Sequence, residues 1–567
     1  MKHSLSYAAA LLALPLAAQA QMANPAPAKP ALPLKYAAKP TVAAITAGDL
    51  MSRLYVFADD SMMGREAGTL GNVKGTDYIA ADVKKMGLLP AGENGGYFQT
   101  IPFKTRTVDP SSMIMAGSQM LGFGPDFTTT TAVDNVTAPI VFGGTFAADM
   151  QPMDRAASAG KIVVFNLADM RGARAARQAT RFAPGAAAVV IVGLPDQMFA
   201  GAPRPTQFVD DPSRPATAPT PLIYVSKAGA AKMFSTPVAQ LAPGATAGTA
   251  TISVKVNVAP VAFPARNVVA ILPGSDPKLK GEYVALGGHN DHVGMNGRPV
   301  DHDSLRIYNH LVRPGGAEDA QKQATAEQQT QVNAMLASWR QAHPGTARLD
   351  SISNGADDDG TGSVSVLEIA QYLSSMKVAP KRSTLFVWHV GEEKGLLGSA
   401  YYTDHPTVPR DSIVAQLNID MVGRGGVDDV TGLDKDGNVL HGGPNYVQLV
   451  GSRRLSTELG NMVESVNTSG KHGFTFDYAL DANGHPMNIY CRSDHYEYAR
   501  YGIPVVFFTT GGHSDYHQVT DEPQYIEYDH MAHVDQLIAD VLTHVSNLDH
   551  KVVVDQPKPD PAGRCQQ

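Results

Sequence analysis

The sequence predicts an α/β protein with a mixed, mostly parallel central sheet flanked by helices and a small β-rich module inserted in its N-terminal half. Three observations predict it. Short apolar runs at Val268–Leu272, Tyr283–Leu286, Leu385–Trp388, Val414–Ile419 and Ile503–Phe508 have the length and bulk of buried strands. Helical spacing intervenes, as between Val364 and Leu373, where Val366, Ile369, Ala370 and Leu373 share one face. Polar residues collect immediately after the apolar runs, where open α/β sheets bind their ligands.

Taken in order, Lys2 and His3 precede an apolar stretch from Tyr7 to Ala18, and Ala18–Gln19–Ala20 fits a small-x-small cleavage pattern. Residues 1–20 therefore read as a signal peptide cut before Gln21, too short to span a bilayer comfortably. The expectation is an exported protein, periplasmic or extracellular, with no membrane span. Residues 21–46, rich in Ala and Pro, read as a semi-extended linker. Residues 47–132 open the main domain, with a helix from Lys74 to Met86 carried by Ile79, Val83 and Met86 and ended by Gly87. Over 133–258 short β-branched runs (Lys161–Phe165, Ala188–Val192, Leu222–Val225) alternate with Ala-rich stretches and Pro-rich loops. This reads as a separate module with a shaping or recognition role, since no catalytic cluster falls inside it. The main domain resumes over 259–550, interrupted by a Gln-, Ala- and Glu-rich helical insertion at about 313–348. That insertion rims an active site or is a plain solvated helix, and both readings stay open. Residues 551–567 form a tail.

A formal net charge of -8 gives no general electrostatic case for nucleic acid or an anionic membrane. With only Cys491 and Cys565 present, the sequence gives no case for a cysteine-based metal site. Cys491 lies in an apolar context and is expected as a buried thiol rather than half of a bridge.

The strand ends carry the chemistry. Gly287–Gly288–His289–Asn290–Asp291–His292 follows one run, and Gly355 to Gly362, with its Asp357–Asp358–Asp359 triplet, precedes the helix. Glu392 and Glu393 follow another run, Asp420 ends a fourth, and His513, Asp515, Tyr516 and His517 follow the last. Singly these are ordinary turns and caps; together, at the strand ends of one domain, they point to a site. Imidazole with carboxylate and no thiolate suits zinc or a similar divalent transition ion better than calcium or an iron–sulfur cluster. More carboxylates are present than one tetrahedral zinc requires, which points to two ions sharing a bridging carboxylate around a hydroxide. An unliganded carboxylate beside them would act as general base. Such a site hydrolyses amides.

The segments His289–Asn290–Asp291, Gly355 to Gly362, Gly391 to Gly398, Asn418–Ile419–Asp420–Met421 and Asp515–Tyr516–His517 resemble the ordered motifs of the di-zinc aminopeptidase family. That family also includes the glutamate carboxypeptidases and, more distantly, the glutaminyl cyclases and the transferrin receptor. The resemblance runs from about Asp49 to Leu548, and the inserted module is similar to a protease-associated domain at Gly160 to Val164 and Gly185 to Val189.

The resemblance implies a zinc exopeptidase-like fold, peptide substrates and two Zn2+ per chain. His289 and Asp420 would bind one ion, Glu393 and His517 the other, and Asp358 both. Glu392 would be the general base, Asp291 would orient His289, and Tyr516 would donate a hydrogen bond to the oxyanion. His513 competes with His517, the motif favouring the latter, and His292 reads as structural.

The leading expectation is an exported aminopeptidase. Against it stand a carboxypeptidase or dipeptidase of the same family, with Arg492 or Arg424 gripping a substrate carboxylate, a glutaminyl cyclase using one zinc, and a non-catalytic binding protein. A complete ligand set argues against the last two. Ser493–Asp494–His495, on the substrate side, makes a poor catalytic triad because adjacent residues rarely converge. The long gap between Asp291 and Asp358 departs from the family pattern and bears on substrate access.

Overall fold

The computed structural model describes residues 32–146, 150–167, 176, 179–199, 205–213, 220–319, 323–344 and 348–567. The expected signal peptide and the first part of the linker lie outside the described residues. Among those residues, no helix is long and apolar enough to cross a membrane.

Among the described residues the main sheet has nine strands. They are β1 (Leu89–Pro90), β2 (Phe98–Ile101), β3 (Ala265–Leu272), β4 (Tyr283–His289), β5 (Ser383–His389), β6 (Ile413–Ile419), β7 (Tyr446–Val450), β8 (Thr475–Asp477) and β9 (Val505–Thr509). Across the sheet the order is β1-β3-β5-β4-β6-β9-β7-β8, with β2 also paired to β3. The central strands β5, β4, β6 and β9 are parallel. β3 and β7 are antiparallel to the strands that flank this centre. The sheet is mixed with a parallel middle, as the apolar runs predict.

Those runs look continuous because both faces are covered. Val268, Ala270, Leu286, Phe386, Trp388, Leu417 and Ile419 pack into one core. Their alternates Val269, Ala285, Leu385 and Val387 pack into another on the opposite face. The first core is roofed by residues of α1 (Ala47–Phe57), α2 (Leu70–Lys85), α3 (Gly362–Ser374) and α4 (Tyr528–Asn547). Trp388 satisfies its one polar atom by donating Nε1–H to Ser363 O (2.9 Å), which ties β5 to α3. α2 begins at Leu70, four residues before the expected Lys74, with Thr69 at its cap; Gly87, at φ 75°, lies just past its end.

Among the described residues the inserted module is built on an eight-stranded sheet, and its lower boundary needs correcting. Met113–Ala116, Gln119–Gly122 and Phe127–Thr128 belong to that sheet, so the module starts well before 133. These strands are short and separated by turns, with Met113 and Met120 exposed, which hides them from a search for apolar runs. Phe103–Val108 pairs antiparallel with Val256–Pro260, so the chain enters and leaves the module side by side.

The second insertion is also larger than the expected 313–348. It opens and closes with a two-stranded ribbon, Met295–Asp301 against Leu349–Ile352, and carries helices His302–Val312 and Ala326–Ala342. The second helix begins with a capping box between Thr325 and Gln328. The ribbon is largely exposed and lacks apolar alternation, so nothing in its composition marks a strand.

The cysteine expectation is overturned. Cys491 and Cys565 form a disulfide, with Cα atoms 5.7 Å apart. The tail folds back on the main domain, where the Gln567 side chain accepts from Tyr490 N (3.0 Å) and donates to Ala482 O (3.2 Å). The bridge joins residues 74 apart in sequence. Constraining a loop of that length in the unfolded chain is worth about 4 kcal/mol. Cys565→Ser should therefore lower the unfolding midpoint in urea by that equivalent, and reductant should do the same to the wild type.

Candidate metal centre

The sequence-singled residues meet at the C-terminal ends of β4, β5, β6 and β9, beside the N-terminus of α3. Close approach of backbones makes this possible. A Cβ on Gly288 would stand 2.7 Å from Ile419 O and 2.8 Å from Asp359 Oδ2, so only glycine lets β4 pass the end of β6. Gly355, at φ +57°, turns the chain into the aspartate triplet where a Cβ would strike Asp358 O and the His292 ring.

Each aspartate of the triplet does something different. Asp357 Oδ1 accepts from Gly423 N (2.7 Å), holding the loop after β6. Asp359 accepts from His289 N (2.9 Å), Gly362 N (2.8 Å) and Met421 N (3.3 Å), locking β4, α3 and β6 together. Asp358 alone aims into the site: Oδ1 lies 3.1 Å from His289 Nε2 and Oδ2 lies 2.8 Å from His517 Nε2. Asp521 fixes the triplet's backbone by accepting from the Asp357 and Asp358 amides (3.0 and 3.1 Å).

Two clusters share Asp358 as their hinge. On one side His289 Nε2 also faces Asp420 Oδ1 at 3.6 Å. On the other, Glu393 Oε2 is 3.0 Å from His517 Nε2, and Glu393 Oε1 is 2.8 Å from His292 Nδ1. His292, read as structural from sequence, thus stands within the second cluster; its position three residues after His289 was the available signal. Asp359 is near His289 and Asp420 as well, but its oxygens are already engaged by backbone amides, which makes it a scaffold rather than a ligand.

Asp291 reaches two elements of the site. Its carboxylate Oδ1 accepts from Gly391 N (2.7 Å) and Glu392 N (3.2 Å), positioning the glutamate turn. His289 Nδ1 is oriented by the Asp291 main-chain oxygen at 3.1 Å, with the carboxylate farther away at 3.7 Å.

His513 turns away from the clusters, its Nε2 3.1 Å from Asp357 Oδ2, so His517 is the histidine that reaches Asp358. Ser493 Oγ donates to Asp420 Oδ2 (2.7 Å) and accepts from Asn418 Nδ2 (2.9 Å). Ser493 Oγ is thus committed to Asp420 and Asn418 rather than to His495, so the tripeptide forms no triad.

Two braces come from the N-terminal segment and have no sequence motif to announce them. The fully buried Arg65 donates to Phe57 O (3.0 Å), Asn354 O (2.7 Å) and Gly355 O (2.8 Å), clamping the loop that leads into the triplet. Asn72 Nδ2 donates to Asn290 Oδ1 (2.8 Å), steadying the residue between His289 and Asp291.

The electrostatics call for cations. His289 Nε2, His292 Nδ1, Asp358 Oδ2, Glu393 Oε1 and His517 Nε2 are buried without hydrogen-bond partners, yet they converge on the same small spaces. Unpartnered buried polar atoms are costly, and several carboxylates side by side more so. Burial opposes charge on His289, but Asp420, Asp291 and Asp358 outweigh it and hold its pKa well above the ordinary value. Burial pushes the Glu392 carboxyl well up, with Glu393 and Asp420 adding to the effect. An imidazole and carboxylate donor set of this kind fits zinc. His292→Gln is expected to weaken zinc binding 10- to 100-fold, roughly the usual loss when a group supporting a ligand is removed, as read by competition with a chromogenic chelator.

Above the clusters lies a cavity of about 360 Å³. Asp358, Glu392 and Asp420 line it on the side of the clusters, Tyr516 and Arg492 flank it, and Val430, Leu433, Leu480, Ile489 and Phe507 give it an apolar wall. The Tyr516 ring stacks on His517 with centroids 4.0 Å apart. Pro314, Gly315, Glu318 and Asp319 of the second insertion complete the rim, so that insertion borders the site rather than standing apart as a solvated helix.

The model of peptidase family M28 matches residues 267–542. Those residues belong to peptidase family M28. The M28 segment contains every side chain of the two clusters, while Arg65 and Asn72, which brace them, lie outside it.

Leupeptin-inactivating enzyme 1 of Streptomyces exfoliatus is 36% identical over 97 residues, 16% of this chain and 22% of that protein. Leucine aminopeptidase 1 of Coccidioides posadasii is 31% identical over 187 residues, 31% of this chain and 43% of that protein. The chain thus spans less than half the length of these relatives. Among solved structures, an aminopeptidase from Aneurinibacillus sp. strain AM-1 aligns with TM-score 0.47 at 17% identity, over 91% of this chain and 97% of that one. A zinc aminopeptidase from Bacillus subtilis aligns with TM-score 0.45 at 17% identity, over 89% and 96%.

Proposed function

We propose that this chain is an exported di-zinc metalloexopeptidase that removes N-terminal residues from peptides. The observation that carries the reading is Asp358, whose two carboxylate oxygens face two different histidines beside the cavity lined by Glu392. His289 and Asp420 would hold one zinc, Glu393 and His517 the other, and Asp358 both. Bound there, zinc supplies a Lewis acid for the scissile carbonyl and lowers the pKa of a water. Glu392, its carboxyl raised by burial, takes a proton from the attacking water and returns it to the departing amine. Tyr516, at the cavity wall, offers its hydroxyl to the oxygen that becomes negative.

The apolar wall suits a substrate with an apolar N-terminal side chain, in keeping with the relatives named leucine aminopeptidases. The carboxypeptidase alternative needs a free arginine, and both candidates are engaged. Arg424 is buried between Asp515 and Asp429, each at 2.9 Å, and Arg492 pairs with Glu318. The β-rich module, similar to a protease-associated domain in two short motifs, would shape access to the site.

The test is a pool of peptides with free and blocked termini, digested by the zinc-loaded protein and read by mass spectrometry. Loss of single N-terminal residues from free-amine peptides only, stopped by a chelator and restored by zinc, is expected. Trimming from the C-terminus would move the chain to the carboxypeptidase branch.

A further inference from the structure

The second insertion reaches the cavity with charge. Its tip lies on the loop that carries His517: the Ala317 N–H donates to Tyr516 O at 3.1 Å. A Cβ on Gly316 would come within 2.8 Å of His513 O and Tyr516 O, so the contact is close and fixed in register. From this anchored position Glu318 sets Oε1 2.5 Å from Arg492 Nη2, and both residues line the cavity. Neither is sealed from solvent, with side chains 20% and 33% exposed, so a substrate can meet them. Arg492 lines the same cavity as Glu392 and Asp420, which brings it beside the chemistry.

We propose that Glu318 is a specificity-determining residue which occupies Arg492 and so disfavours substrates ending in a carboxylate close to the scissile bond. The inference rests on the exopeptidase reading and names the substrate class within it. A guanidinium fork matches a carboxylate in shape and charge. In a dipeptide the terminal carboxylate sits one residue past the cleaved bond, about 3.5 Å of extended chain away. With Glu318 in the fork, that carboxylate must displace a like charge or lie against it. Dipeptide amides and longer peptides carry no such charge there, and the site accepts them. Without Glu318 the same arginine becomes a carboxylate receptor, and the site turns towards dipeptides.

The experiment compares Leu-Leu with Leu-Leu-amide, substrates that differ only in the terminal charge, on the zinc-loaded full chain. Wild type is expected to favour the amide. E318Q should raise the ratio of kcat/KM for free dipeptide over amide about tenfold, equivalent to about 1.4 kcal/mol, with the change in KM. E318D should keep the wild-type ratio, and E318Q/R492Q should lose the gain. An unchanged ratio in an E318Q protein that still turns over the amide would overturn the inference and leave the exopeptidase reading standing. Cleavage of neither substrate by wild type would count against the exopeptidase reading instead. Dissociation constants of the two compounds, measured by calorimetry on E392Q with and without E318Q, then decide the charge selection by the same tenfold criterion.

Discussion

Glu392→Gln is expected to fold, to bind zinc as the wild type does, and to lose turnover by about 10³-fold, within the range for removing a positioned proton-transfer group. The amide keeps the shape of the side chain and the backbone N–H that Asp291 Oδ1 receives, so the glutamate turn should hold. What disappears is the ability to accept a proton at the cavity. Glu393, the neighbouring carboxylate, cannot substitute, because both its oxygens are directed at histidines, His292 and His517. The loss should fall on kcat with KM little changed, since no substrate contact is removed. Single-turnover kinetics together with a zinc titration check this. A variant that bound zinc and kept a tenth of wild-type activity would assign the proton to another group.

Arg65→Met is expected to be the most destabilising single change outside the clusters. Methionine approximates the length of the side chain but leaves Phe57 O, Asn354 O and Gly355 O without their donor. At roughly 1.5 kcal/mol for each hydrogen bond to a charged group, the loss is about 4.5 kcal/mol. Burial lowers the Arg65 pKa to about 10, against the pull of Asp359 and Asp521, so the clamp remains charged at neutral pH. The loop it holds leads to Asp358, and zinc affinity should fall along with stability. Urea denaturation of the metal-free protein separates the structural loss from the loss in metal binding. Arg65→Lys should recover only part of either, because an ammonium does not reproduce the planar fork.

Much of the sheet was legible because its strands are buried on both faces and therefore read as unbroken apolar runs, from Val268 to Phe508. The residues at their ends were legible for the same reason, since a polar group right after a buried strand stands out. Legibility failed where the periodic signal was weak. The ribbon from Met295 to Asp301 is exposed and polar, and the strands at 113–128 are too short to show alternation. Arg65 and Asn72 brace the site through hydrogen bonds to residues over 200 positions away in sequence, and no local pattern encodes such partners. The disulfide failed differently: Cys565 stands in a polar tail, and only the tail's return to the main domain places it beside Cys491. His292 lay in plain view within the His289 motif, but spacing alone does not tell which way a ring points.

The antiparallel pairing of Phe103–Val108 with Val256–Pro260 has a consequence for chain connectivity. To the catalytic sheet, everything between those strands is one closed loop whose ends are zipped together. The entropy of closing such a loop grows only as the logarithm of its length, so doubling the module would cost about 0.6 kcal/mol more. The module can therefore lengthen or shrink while the strands on either side keep their register, provided that Thr206–Val209, which also pairs with Phe103–Val108, keeps its place.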